Sequence, residues 1–245
     1  MSGHSQFKNI MYRKGAQDAK RAKVFSKISR EITVAVKESG SDPESNSRLR
    51  SALISARSEN MPKDNIDRAI KKALGGDADA DYQNVRYEGY GPGGVAIIVE
   101  GLTDNKNRTA PAVRSAFTKF GGSLGESNSV AFSFDHIGYI VYEKNVASED
   151  EIFEVALEAG ANDIITDEDI YEILTDIEKL SAIRDSLIKK FKDPREAKVI
   201  WKPKNTIAVD EKTAQSLMKL INILEEDDDV QEVFANYELP EGFEF

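Results

Sequence analysis

The sequence predicts an α+β protein with an N-terminal three-helix domain and two ferredoxin-like α/β sandwich domains, one inserted into the other. Three observations lead to this prediction. Residues 16–76 repeat apolar side chains at helical spacing. From residue 82 onward, short apolar segments that predict strands alternate with helical segments. Residues 138–202 follow the order β-α-β-β-α-β, which is typical of a ferredoxin-like module.

Three helices are predicted in the N-terminal domain. The first begins near Ala16 and ends at Ser39-Gly40, with an apolar arc made of Phe25, Ile28, Ile32 and Ala35. Asp42-Pro43 predicts the start of the second helix, with Asp as the N-cap and Pro at the first helical position. The third follows Asn60-Met61-Pro62 and ends at Gly75-Gly76.

The remaining elements predict two sandwiches. Outside the module, the predicted elements are strands over Asn84–Tyr90, Val95–Leu102, Ser129–Phe134, Ile207–Val209 and Val230–Tyr237, with helices over Lys106–Phe120 and Glu211–Glu225. The segments on either side of the module are each too short to close a sheet, so we expect them to combine. The predicted domains are therefore 1–80, the discontinuous 81–136 plus 204–245, and the inserted 137–203.

Positive charge is concentrated at the amino end. Residues 1–76 carry a net charge of +8, although the whole chain carries -10. Such an asymmetry indicates that one end meets a polyanion. The cations that we predict to bind nucleic acid are Lys8, Arg13, Lys14, Lys20, Lys23, Lys27 and Arg30, with Lys71 and Lys72 on the third helix.

Each of these features has a plainer interpretation. A row of cations on a helix is often a solvated surface, and Lys71 and Lys72 also suit a helix end. The turn before the Lys106–Phe120 helix is a possible anion or contact loop, made of Asn105, Lys106, Asn107 and Arg108. The alternative for that turn is a simple N-cap.

Composition argues against several classes of protein. The chain has no Cys and only His4 and His136, and neither lies in a metal-ligand spacing, so we expect no metal and no cofactor. We find no Ser-His-Asp order and no poised carboxylate pair, and we expect no enzyme. No apolar run approaches the length of a membrane span, so we expect a cytoplasmic protein with no membrane partner.

Several longer motifs resemble the YebC/PmpR family. They include Gly3-His4-Ser5, Asn60-Met61-Pro62-Lys63-Asp64-Asn65-Ile66, Tyr87-Glu88-Gly89-Tyr90-Gly91-Pro92-Gly93-Gly94 and Leu102-Thr103-Asp104-Asn105-Lys106-Asn107-Arg108-Thr109. The resemblance implies three domains, one helical and two α/β, and a DNA-binding transcriptional regulator. It also implies the alternative of a ribosome-associated translation factor, since the family includes a mitochondrial activator of cytochrome oxidase synthesis. The chain departs from the family at Gln6-Phe7 and at Met11 and Tyr12, where the family commonly has further cations.

We therefore expect a non-enzymatic, nucleic-acid-binding regulator of gene expression. Its partner is DNA or ribosomal RNA, with the ribosome as the larger assembly in the second case, and the protein itself is a monomer or a weak oligomer. Two other classes remain open at this point. One is a protein-interaction scaffold without nucleic-acid contact, and the other, more remote, is an enzyme that acts on phosphorylated substrates at the Asp104–Thr109 turn.

Overall fold

The computed structural model describes residues 17–75 and 81–243, with side chains described from Arg21 onward. These residues form two compact units. The first unit combines residues 17–23, 81–135 and 201–243, and the second combines residues 24–75 and 136–200. Within the described ranges, no helix has the length and apolar character needed to cross a membrane.

Three helices open the described chain: α1 (Gln17–Ser39), α2 (Ser47–Ser58) and α3 (Lys63–Leu74). Their shared core contains Ile32 and Ala35 of α1, Leu49 of α2, and Ala69 and Ala73 of α3. The apolar spacing therefore located the three helices. Because many of the contact residues are alanines, this core buries little apolar area for each residue.

The predicted N-cap of α2 is wrong. The N-cap is Asn46, whose side-chain oxygen accepts a hydrogen bond from the Leu49 amide at 2.9 Å. The Asn46 amide group also donates to the carbonyls of Ala35 and Gly40, both at 2.7 Å, and so closes the end of α1 as well. Asp42 instead stabilises the preceding turn, where its carboxylate accepts from the Glu44 amide.

The first unit contains a four-stranded antiparallel sheet and two helices. The elements are β1 (Gln83–Tyr90), β2 (Ala96–Thr103), α4 (Lys106–Lys119), β3 (Ser123–Leu124), α7 (Glu211–Glu226) and β9 (Val230–Ala235). The strand order is β3-β1-β2-β9. Both helices contribute to one core with this sheet, where Val113 and Phe117 of α4 meet Leu217 and Leu220 of α7. A short parallel pair, β8 (Ile207–Ala208) with β10 (Tyr237–Glu238), completes this unit.

A second sheet follows the order expected for a ferredoxin-like module. Its elements are β4 (Phe134–Glu143), α5 (Glu149–Glu158), β5 (Asp163–Thr166), β6 (Ile170–Thr175), α6 (Leu180–Lys190) and β7 (Glu196–Pro203). The strand order is β5-β6-β4-β7. Its core joins Ile152 of α5 and Ile183 of α6 to Ile140 and Ile173 of the sheet, and it also receives Ile54 from α2.

One predicted strand, Ser129–Phe134, is wrong. The structure has a 3-10 turn at Ala131–Ser133, and β4 begins only at Phe134. The cause is the carboxylate of Glu88, which is almost fully buried and accepts the main-chain amides of Asn128, Val130 and Ala131 at 2.9 to 3.0 Å. Because those amides are bonded to a side chain, they are not available to a strand ladder.

The mixture of helices and antiparallel sheets confirms the predicted α+β class. The two compact units have boundaries that differ from those of the three predicted domains, so the domain ranges stay a prediction.

Candidate nucleic-acid interface

The earliest part of the predicted site lies outside the described residues. This applies to Lys8, Arg13 and Lys14, and to the side chain of Lys20, whose main chain belongs to α1. The remaining predicted cations can be placed individually.

The described cations of α1 that belong to the predicted site are only partly open to solvent. Lys23 is half-buried, and its Nζ donates a hydrogen bond to the main-chain carbonyl of Glu226 at 2.7 Å. Lys27 and Arg30 are also half-buried, and both make contacts within the protein. Glu31, an acid on the same helix, accepts from Nε of Arg48 at 2.6 Å. The charged face of α1 is therefore engaged with the protein more than the sequence pattern suggested.

The cations of α3 are more accessible. Lys63, Arg68, Lys71 and Lys72 are all exposed, and among the described residues none of them has a carboxylate within ion-pair distance. Lys71 and Lys72 occupy the last turn, where the helix dipole favours positive charge. This placement fits both interpretations of the pair, as a phosphate-binding site and as a favourable helix end.

The turn before α4 is an internal ion pair as well as a helix cap. The Asn105 side chain accepts from the Arg108 amide at 3.2 Å, which is the predicted N-cap. The Arg108 guanidinium donates to Asp229 at 2.6 Å and to Asp104 at 2.8 Å, and these hydrogen bonds raise its pKa further. Lys106 and Asn107 of the same turn remain exposed. The positive charge of Arg108 is thus compensated within the protein.

A buried carboxylate forms the centre of that arrangement. Asp229 is 4% exposed and accepts hydrogen bonds from Thr109 Oγ1 at 2.7 Å and from Thr103 Oγ1 at 3.1 Å, in addition to those from Arg108. Asp229 is 120 positions away from Thr109, so the spacing of residues in the sequence does not indicate that it binds the residues of this turn. Its position at the end of the acidic run Glu225–Asp229 gave no sign that it alone would be buried.

Metal-ligating side chains are not clustered in the part of the chain that the structure describes. Within those residues there is no group of three or more His, Cys, Asp or Glu side chains placed to hold a metal ion.

The outer face of α4 carries cations that the sequence analysis did not select. Arg114 and Lys119 are exposed and line an open depression of about 470 Å³ together with Pro111, Ser115 and Thr118. A signal for this face was present in the sequence, since α4 has four Lys or Arg and no Asp or Glu.

Comparison with known proteins identifies the family. The family model described as "TACO1/YebC second and third domain" matches residues 82–237. The model described as "TACO1/YebC protein N-terminal domain" matches residues 5–76. A crystal structure of a conserved hypothetical protein from Aquifex aeolicus is similar in fold, with a TM-score of 0.81 and 47% sequence identity over 91% of this chain and 93% of that one. The chain belongs to the TACO1/YebC family.

Proposed function

We propose that this chain is a nucleic-acid-binding regulator of gene expression and that it is not an enzyme. The observation that carries the proposal is the separation of charge along the chain. Residues 1–76 carry a net charge of +8, and the remaining residues carry the opposite charge, so that the total is -10. Clustered Lys and Arg attract phosphate backbones because binding releases condensed counterions. The exposed cations of α3 are the part of this cluster that the described residues display most openly.

The state of Arg108 supports the non-enzymatic form of the proposal. An enzyme that acts on phosphorylated substrates would use the turn before α4 as its anion site. Asp229 and Asp104 already supply two carboxylates to the only arginine of that turn. A substrate phosphate would have to compete with a buried carboxylate that is also bonded to Thr103 and Thr109. This competition makes the turn a poor anion site.

Transcriptional control through duplex DNA is the first form of the proposed function, since the family resemblance implies it. A ribosome-associated role in translation is the second form, and the acidic remainder of the chain favours it. A long duplex that wrapped around the protein would meet that negative charge. The same cations serve both ligands, because phosphate contacts position a protein without reading sequence.

The test is a charge reversal on α3, Lys71→Glu with Lys72→Glu. Binding of a short DNA duplex and of purified ribosomes is measured by anisotropy and by sedimentation across a salt series. We expect duplex affinity to fall at least about tenfold and the log-log salt slope to decrease by about 1.8, the value for two lost phosphate contacts. The matched control is Lys189→Glu with Lys190→Glu, which reverses two exposed lysines in the last turn of α6.

Equal loss in the control and in the α3 variant would show that only overall charge matters, and it would overturn an α3 binding surface. Absence of any salt-sensitive binding by the unaltered protein, to duplex or to ribosomes, would overturn the proposed function itself. Stronger binding to ribosomes than to duplex at the same salt concentration would select the translational form.

A further inference from the structure

Helix α4 is unusual within the first unit because its charge opposes that of its surroundings. Residues 81–135 and 201–243 contain nine Lys or Arg and sixteen Asp or Glu. Four of the nine cations lie on α4, and none of the sixteen acids does. Most surface helices carry both signs, and pairs three or four residues apart then stabilise the helix. A one-sign helix in an acidic region forgoes that stabilisation.

Three of the four α4 cations are exposed without a described ion-pair partner. Arg108 is bound to Asp229, as shown above. Lys106, Arg114 and Lys119 have no carboxylate within ion-pair distance among the described residues. Lys119 instead places its Nζ 5.4 Å from the centre of the Phe120 ring. These charges therefore remain available to an anion from outside the chain.

Two of these cations flank an open depression on the surface of α4. Arg114 and Lys119 flank Pro111, Ser115 and Thr118 in the open depression of about 470 Å³. Five residues separate the two cations, which corresponds to about 7.5 Å along a helix. The exposed Thr118 hydroxyl donates its hydrogen to the Arg114 carbonyl at 3.0 Å, which leaves its oxygen as an acceptor. An acceptor placed between two cations suits a ligand that offers both phosphates and hydroxyl donors.

Negative charge limits the width of this surface. A neighbouring depression shares Ser115 and Lys119 with the first one and is lined on its other side by Ile223 and Asp227 of the α7 end. Asp227 belongs to the acidic run Glu225–Asp229. A duplex lying along α4 would bring its second strand of phosphates toward these carboxylates, whereas a single strand would not. The site thus favours one strand.

We propose that the outer face of α4 binds the sugar-phosphate backbone of single-stranded RNA, with Arg114 and Lys119 contacting phosphates. The 2′-hydroxyl is the donor that distinguishes RNA from DNA, and the Thr118 oxygen is the acceptor placed to receive it. The inference rests on the nucleic-acid binding proposed above. It goes further by placing a binding surface on α4, which lies outside residues 1–76 of the sequence, and by naming the class of nucleic acid.

The test reverses both cations in the full chain, as Arg114→Glu with Lys119→Glu. Binding of a short oligouridylate, of the same oligomer in deoxy form and of a DNA duplex is measured by fluorescence anisotropy across a salt series. We expect the RNA affinity to fall about tenfold or more. We also expect the salt slope to decrease by about 1.4, as for two lost contacts to a single strand. The charge-matched control is again Lys189→Glu with Lys190→Glu, and circular dichroism verifies that both variants fold.

The Thr118→Val variant sharpens the test, because it removes the acceptor and keeps the branched shape. The variant should bind the RNA oligomer more weakly and should bind the deoxy oligomer with unchanged affinity. If the charge-reversed α4 variant binds the RNA oligomer as well as the control does, the α4 site is overturned. The proposed function still stands in that case if Lys71→Glu with Lys72→Glu loses duplex or ribosome binding. Equal losses on RNA and on duplex would overturn the assignment to single-stranded RNA. If reversal at Arg114 and Lys119 prevents folding, the Gln variants at both positions carry the same comparison.

Discussion

Helices α2 and α4 both carry cations and no acids, but the cations of α2 are bound by carboxylates whereas most of those of α4 are exposed to solvent. Neither contains an Asp or Glu; α2 has three arginines, and α4 has four Lys or Arg. Every arginine of α2 is bound by a carboxylate of the second unit. Arg48 pairs with Glu31 and Glu38, Arg50 pairs with Asp185 and Glu44, and Arg57 pairs with Asp193. On α4, Arg108 alone is held in this manner by carboxylates of the described residues.

The comparison teaches that an excess of cations on a helix has no fixed meaning. On α2 the cations attach the helix to its own unit, since Asp185 and Asp193 belong to α6 and to the segment that follows it. On α4 the cations face solvent, and we assign them to an external polyanion. The difference depends on where the carboxylates lie in space. Those of α2 come from residues as remote in sequence as Asp193, the partner of Arg57.

The largest effect is expected from Asp185→Ala, which removes one of the carboxylates that bind the arginines of α2. Asp185 accepts from Arg50 and also from Nε of Arg184, whose side chain is fully buried. Removing one partner leaves a buried guanidinium without compensation, so we expect a loss of about 3 kcal/mol in unfolding free energy. Urea denaturation followed by circular dichroism measures it. Asp67→Ala, at an exposed position on α3, is the control and should change stability by less than about 0.5 kcal/mol.

The same variant has a defined pH dependence. Burial opposes the ionised form of Asp185, but the hydrogen bonds from Arg184 and Arg50 outweigh it, so its pKa lies below the ordinary value. Because the folded-state pKa is depressed, the stabilisation is present above the unfolded pKa of about 3.9 and is lost as pH falls through the folded value. The difference in unfolding free energy between the unaltered protein and the Asp185→Ala variant should therefore be largest near neutral pH and should decrease in acid. A difference that grew in acid would contradict the ion-pair explanation.

A smaller effect is expected where α4 resembles α2, at Asp229. Asp229→Asn keeps the shape but gives the Thr103 and Thr109 hydroxyls a poorer acceptor and removes the charge that holds Arg108. We expect a loss of about 2 kcal/mol, the usual cost of leaving buried polar groups poorly satisfied. Thermal unfolding measures it, and Asp228→Asn at the exposed neighbouring position is the control. An unchanged midpoint would show that the buried network does not hold the first turn of α4.

Local periodicity predicted most of the fold. The α4 range Lys106–Lys119 ends one residue before the predicted end, and α7 differs from its prediction by one residue. These helices were recoverable because Val113 and Phe117, or Leu217 and Leu220, recur at the spacing of one helix face. The Gly91–Gly94 turn was recoverable because its composition is typical of a tight connection, and it joins the antiparallel strands β1 and β2.

Two of the failures, at Ser129–Phe134 and at Arg108, share one physical cause. Ser129–Phe134 had the composition of a strand, but the Glu88 carboxylate, more than 40 positions earlier in the chain, binds the amides of Val130 and Ala131. Arg108 looked available to a ligand, but Asp229 binds it. In both cases a buried carboxylate that is remote in sequence decides the local structure. Only a description of which side chains meet in space shows this, and periodicity carries no such information.

The most delicate test compares single arginines of the two helices, Arg57→Ala on α2 and Arg114→Ala on α4. Arg57 forms a half-open ion pair with Asp193 at 2.7 Å, with 54% of its side chain and 41% of its partner's exposed. Exposed pairs contribute little, so we expect Arg57→Ala to cost between zero and about 1 kcal/mol. Arg114 has no described carboxylate to lose, so its removal should leave the unfolding free energy within about 0.5 kcal/mol. Oligouridylate binding should show the reverse order, with a loss for Arg114→Ala and none for Arg57→Ala. Both quantities are measured on both variants. Loss of a structural arginine should change only the unfolding free energy, and loss of a ligand-binding arginine should change only the affinity for oligouridylate.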